Sequence, residues 1–107
     1  MKTLPFTVAM TLATMACAAS TEPPSLDRQA ELLHLLKADC GSCHGLTLKG
    51  GLGPALLAQD IAQKPDEFLF MIIKEGQPGT PMPPWERFLN DNEIHWLVHV
   101  LRNEEWK

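Results

Sequence analysis

Three side chains within five residues could do chemistry together: the thiols of Cys40 and Cys43 and the imidazole of His44, in the run Cys40-Gly41-Ser42-Cys43-His44. Two cysteines three positions apart, followed at once by histidine, form the attachment pattern of a covalently held haem. Each thiol can add across one vinyl group of the porphyrin to give a thioether. The histidine, tethered beside the ring, can then offer an imidazole nitrogen to the iron. A thioredoxin-like reading of the same cysteines needs a strand before them and a βαβ frame, and a zinc site needs a further sulfur or nitrogen ligand at suitable spacing. Here a helical pattern precedes the motif, and no further ligand stands at such a spacing.

An iron held by one histidine has a sixth position to fill or to leave open. His34, His95, His99, Met71 and Met82 are the candidates, and Met82 is the best placed. It lies in Pro78-Gly79-Thr80-Pro81-Met82-Pro83-Pro84-Trp85, where Thr80 and Met82 each precede a proline and are pushed towards extended backbone. Such a loop has few conformations to lose on folding, which suits a weak thioether ligand. The expected metal ligands are therefore His44 and Met82. Met71 sits in a mostly apolar helix and reads as core filler. His95 and His99 are one helical turn apart without a third ligand and read as partly exposed, and His34 as a surface residue of the first helix.

These groups need elements to carry them. Leu26, Ala30, Leu33, Leu36 and Cys40 recur at intervals of three and four, with Leu32 and Leu35 beside them, so a helix capped by Ser25 or Asp27 should deliver the motif at its end, with Gly41 as its exit. Gly45 to Gly53 reads as a glycine-rich loop that can approach a flat ligand, followed by a short helical turn over Ala55 to Gln59. Pro65 suits the first position of a second helix, with Asp66 and Glu67 near its positive end, Phe68, Leu69, Met71, Ile72 and Ile73 within it, and Gly76 stopping it. The four prolines between Gln77 and Trp85 exclude helix and central strand. Asn90 with Glu93 forms a capping box for a last helix whose apolar face is Ile94, Leu97, Val98 and Leu101, flanked by Trp96 and Val100. No alternation of period two persists, so the fold class is all-α.

The 107 residues suffice for one domain. Lys2, the apolar run Leu4 to Ala16 and the small residues Ala16-Cys17-Ala18-Ala19-Ser20 have the layout of a secretory signal peptide over residues 1–19, cleaved after Ala18 or Ala19. The run is too short to span a bilayer. Thr14 and Met15 disfavour lipid attachment at Cys17. A domain over residues 20–107 has a thin core and needs a staple, which covalent haem would supply. The export signal predicts a periplasmic location. The formal net charge of -4, with no basic tract, excludes nucleic acid as the expected partner.

Cys40 to His44, Gly53-Pro54-Ala55-Leu56 and Pro81-Met82-Pro83, in that order between two flanking helices, resemble class I cytochrome c over Leu26 to Arg102. The resemblance implies a small cytochrome c fold of three to four helices wrapped around one haem c and its iron, with the first and last helices crossing. It implies that the Pro54 carbonyl accepts a hydrogen bond from the other nitrogen of His44, and that Leu56, Phe68, Ile72 and Leu97 wall the haem. The cofactor-binding set is thus Cys40, Cys43, His44, Pro54, Leu56 and Met82. Ala30 to Leu36, Gly50 to Leu56 and Pro78 to Trp85 are further similar to NirC-type cytochromes, encoded beside the haem d1 nitrite reductase of denitrifying bacteria. That likeness implies a monomeric electron carrier whose redox partners are the reductase or proteins of haem d1 maturation. The chain has no tyrosine and no lysine cluster, so docking through a lysine-rich rim does not carry over.

Histidine plus methionine leaves no open position on the iron, so the site reads as a carrier and not an enzyme. Two other readings stay open on residues alone. One is a haem enzyme or gas binder whose methionine dissociates, and the other is a maturation adaptor with mainly structural haem. Trp85 reads equally as part of a docking patch or as cover for the haem.

Overall fold

The computed structural model describes residues 1–13 and 22–107. Cleavage after Ala18 or Ala19 and the lipid question at Cys17 lie outside the described residues. Residues 1–13 carry no regular structure and are exposed, and no described helix is long and apolar enough to cross a membrane.

The Ser25 hydroxyl accepts from the Arg28 amide at 3.3 Å, and α1 begins there, over Leu26–Leu35. The helical path then widens into a π-helical turn over Leu36–Cys40 and continues as α2, Gly41–His44. Gly41 is therefore not the exit. It is buried, with φ -61°, and the chain leaves the helix at Gly45, φ 92°. The absent side chain of Gly41 serves packing instead, because a Cβ there would lie 3.4 Å from the Leu46 backbone. The apolar face is also narrower than the periodicity predicts. Leu32 and Leu36 are fully buried, and Leu33, Leu35 and Cys40 pack beside them, but Leu26 is 81% exposed and Ala30 is exposed. The first turn of α1 meets the rest of the fold through polar contacts: Arg28 pairs with Glu93 at 2.7 Å, and the Asn92 amide donates to the Glu22 carbonyl.

The loop after α2 is anchored by Leu48, which is 1% exposed at φ 54°. Its carbonyl accepts from the Leu56 amide at 2.9 Å. That bond keeps residues 55–57 extended, so α3 forms over Ala58–Ile61, later than the composition suggests. Pro65, with ψ 152°, caps α4 from outside, and the helix spans Asp66–Glu75 and ends at Gly76. Leu69 and Phe70 enter the core and Ile73 packs against it. Met71 falls on the outer side of α4 and is 36% exposed, so it is not core filler. Residues 77–84 are irregular, followed by a 3-10 turn at Trp85–Arg87.

The last helix, α5 (Asp91–Asn103), opens with the expected box: Asn90 Oδ1 accepts from the Glu93 amide and the Glu93 carboxylate accepts from the Asn90 amide. Such a cap contributes about 1 kcal/mol. Ile94, Leu97, Val98, Val100 and Leu101 are buried and pack α5 on α4 and α3. Arg102 fastens the C-terminal turn to the α3–α4 connection, donating to the carbonyls of Ile61 and Lys64 and pairing with Asp66. No strand occurs among the described residues, and the fold is all-α.

Candidate functional site

The end of α2, the 52–56 loop, α4, the proline-rich loop and α5 enclose a cleft of about 490 Å³. That is within the range of sites that bury small cofactors. Cys40, Cys43 and His44 line it from the helical motif, Pro54 and Leu56 from the loop, and Met82 from the proline-rich segment. Phe68, Ile72 and Leu97 complete the apolar wall. Phe68, although 48% exposed, owes that exposure to the cleft side of α4. Asp39 and Lys64 are the other charged residues along the lining.

His44 is held in one tautomer. Its Nδ1 lies 2.7 Å from the Pro54 carbonyl oxygen. A carbonyl only accepts, so Nδ1 carries the proton and donates, which leaves the Nε2 lone pair free for a metal. Gly53 makes this possible sterically: a Cβ there would sit 2.9 Å from both Cε1 and Nδ1 of His44. The sequence suggests backbone approach to a flat ligand in this loop, and the close approach at Gly53 is to the His44 ring itself.

Cys40 and Cys43 are free thiols facing the cleft. Burial pushes the Cys40 thiol up to about 11, with the Asp39 carboxylate adding to the shift, so it stays protonated at neutral pH. The Ser42 hydroxyl donates to the Asp39 carbonyl at 2.7 Å and tightens the turn between the two cysteines. On the facing loop, the Met82 amide donates to the Thr80 hydroxyl at 3.3 Å, and the Met82 carbonyl accepts from the Gln77 amide at 3.2 Å. The Thr80 hydroxyl in turn donates to the Gln77 carbonyl at 2.7 Å. Two thiols, one imidazole lone pair and one thioether around an apolar cleft make a donor set that fits a covalently attached haem.

Of the five candidates for a second iron ligand, Met82 lines this cleft and the other four do not. His34 is exposed on α1. His95 stacks on Phe70, with ring centroids 4.1 Å apart, and His99 lies 3.4 Å from Glu105. Both belong to a separate hollow beside Trp96. No group of three His, Cys, Asp or Glu side chains arranged to hold a metal ion by themselves occurs among the described residues. Trp85 lines the cleft and packs on the core, with the exposed Phe88 tilted against it at 5.8 Å. Sequence reasoning named Gly53 only as one glycine of a loop that approaches a flat ligand, and it passed over Leu48. The run Gly53-Pro54 held a signal for the first, but nothing around Leu48 distinguishes it from its exposed neighbours Leu46 and Leu52.

Comparison with known proteins agrees with this geometry. The family described as cytochrome C oxidase, cbb3-type, subunit III matches residues 27–99. A protein named cytochrome c55X from Pseudomonas aeruginosa is 48% identical over 88% of this chain and 79% of its own length. Its namesake from Paracoccus denitrificans is 41% identical over 92% of this chain and 95% of its own. A solved structure titled c-type cytochrome NirC superposes with a TM-score of 0.76 at 51% identity, covering 78% of this chain and 98% of that one. The chain therefore belongs to the cytochrome c family, as a small class I cytochrome c that carries covalently attached haem c and transfers electrons between redox partners.

Proposed function

We propose that this protein is a periplasmic monohaem carrier in which Cys40 and Cys43 hold the haem and His44 and Met82 ligate its iron. The observation that carries the reading is the single cleft lined by Cys40, Cys43 and His44 on one side and by Met82 on the other. The bound haem supplies an iron that exchanges one electron between its ferric and ferrous states. The protein's part is to choose the ligands and the medium. His44 presents Nε2 because Pro54 holds the proton on Nδ1, and this second bond also raises the basicity of the ligand nitrogen. Met82 presents a soft thioether, which favours the reduced state. The apolar wall of Leu56, Phe68, Ile72 and Leu97 excludes water and disfavours the more highly charged state. With His44 and Met82 both offered to the iron, the site would serve as a carrier and not as a catalyst.

Residues 1–19 are read as a leader that routes the domain over 20–107 to the periplasm. The partners we propose are those of dissimilatory nitrite reduction, with electrons passing to a haem d1 nitrite reductase or to a redox step in haem d1 maturation. Support comes from the likeness of the 30–36, 50–56 and 78–85 runs to NirC-type cytochromes and from the NirC structure that superposes on the chain. The ligand set is tested by the thioether-to-iron absorption band of the ferric protein. It is expected in the wild type and should be absent in Met82→Ala; a band that survives the substitution removes Met82 from the iron. The partner is tested by mixing the reduced protein with purified nitrite reductase in a stopped-flow instrument, where no oxidation on the time scale of turnover would rule out the donor role.

A further inference from the structure

Gly76 lies outside the motifs that identify the site, yet it is the glycine most closely hemmed in by backbone. It ends α4 at φ 69°, and a Cβ built on it would lie 2.6 Å from the carbonyl carbon of Pro83, 2.7 Å from the Met82 carbonyl oxygen and 2.7 Å from the Pro84 nitrogen. All three are backbone atoms, so none can swing aside as a side-chain tip would. The end of α4 is thus seated directly against the peptide that follows Met82. The next residue completes the seat, since the Gln77 amide donates to the same Met82 carbonyl at 3.2 Å.

Both sides of this contact are stiff. Leu69 and Phe70 lock α4 into the core, and Lys74 bridges to Asp91 of α5 at 2.9 Å. On the other side, Pro83 and Pro84 have fixed φ, so a push on the Met82 carbonyl cannot be taken up by rotation there and passes to Met82 itself. We propose that Gly76 is a positioning residue for Met82, and that the space it leaves sets how readily the thioether leaves the iron. This rests on the reading of Met82 as the second iron ligand.

Gly79 provides an internal control. Its φ of 79° lies in the same left-handed region, but a Cβ there meets nothing within 4 Å. Alanine at either position carries a positive-φ penalty, larger at 76, where ψ -174° leaves a conformation essentially confined to glycine, and only at 76 does it also displace the Met82 peptide. The test is a titration of ferric holoprotein with imidazole, followed through loss of the thioether-to-iron band. Gly76→Ala should bind imidazole about tenfold more tightly than the wild type, in line with the cost of overpacking, and Gly79→Ala should stay within about twofold. Equal affinities in the two variants would overturn the proposal.

A second measurement needs no variant. In the wild type, saturating imidazole should accelerate hydrogen exchange of the Gln77 amide, which loses its Met82 acceptor, while the Val98 amide in α5 keeps its protection. Unchanged Gln77 protection would equally overturn it. The parent reading is separable: if Met82→Ala keeps the band, the ligand assignment falls and this inference with it. If the band is lost there but Gly76→Ala matches Gly79→Ala, only the role of Gly76 falls.

Discussion

Replacing Gly53 by alanine should disturb the haem centre without removing either proposed ligand side chain. The added Cβ would stand 2.9 Å from Cε1 and Nδ1 of His44, about 0.5 Å short of ordinary contact. The ring cannot yield freely, because Nδ1 is bonded to the carbonyl of the very next residue, Pro54, at 2.7 Å. Moving the imidazole away by that amount stretches the hydrogen bond towards about 3.2 Å, the outer edge of normal N–H···O geometry. Two costs follow. Overpacking of a well-fitted site costs about 1–3 kcal/mol, and loss of the hydrogen bond adds about 0.5–1.5 kcal/mol. The bond also makes Nε2 a stronger donor, which favours ferric iron, so weakening it should raise the reduction potential. If the whole hydrogen-bond energy distinguished the two oxidation states, the rise would be at most about 60 mV for a one-electron couple. Guanidinium unfolding of the ferric holoprotein gives the first quantity and a spectroelectrochemical titration the second. A variant with wild-type stability and a potential unchanged or lowered would refute the idea that Gly53 holds His44 against Pro54.

Leu32 is fully buried in α1 and Leu26 is 81% exposed on the same helix. Leu32→Ala should therefore cost about 2–5 kcal/mol in guanidinium unfolding, and Leu26→Ala less than about 0.5 kcal/mol; similar costs would mean that the face has been misplaced. The Arg28 hydrogen bond, helped by the Asn90 amide, holds the Glu93 carboxyl below its ordinary value of 4.5. Its contribution is complete above that value and disappears as pH falls through the lowered folded value. Glu93→Gln should thus cost about 1 kcal/mol at pH 7 and approach the wild type as pH falls below 4.5 through the lowered folded value, and a gap that persists in strong acid would refute this source of stability.

What the sequence made legible and what it hid divide on physical lines. The capping box of α5 and its buried face were readable because every determinant lies within one helix: Asn90, Glu93 and the spacing of Ile94, Leu97, Val98 and Leu101. The irregular course of the chain around Met82 was readable because prolines restrict their neighbours locally, whatever the fold. The exit at Gly41 was misread because a glycine after a helical run is locally a good terminator, and only contact with Leu46 shows that its missing side chain serves packing. The late start of α3 depends on a bond between Leu56 and Leu48, a non-glycine residue held at positive φ by burial, and no local preference announces either. Met71 was misplaced because apolar character in α4 serves both the core and the cleft, which leaves one position between them facing out.

The two glycines that matter most to the site are the extreme case. In the sequence Gly53 and Gly76 look like any turn formers, since a residue without a side chain has no chemistry of its own to read. Their specificity lies in how close a Cβ on them would stand to atoms on other segments, 2.9 Å from the His44 ring and 2.7 Å from the Met82 carbonyl. The residues able to donate to a metal can be named from their types. The residues that fix where those donors stand can be named only once the backbone positions are known, because their contribution is the volume they leave empty.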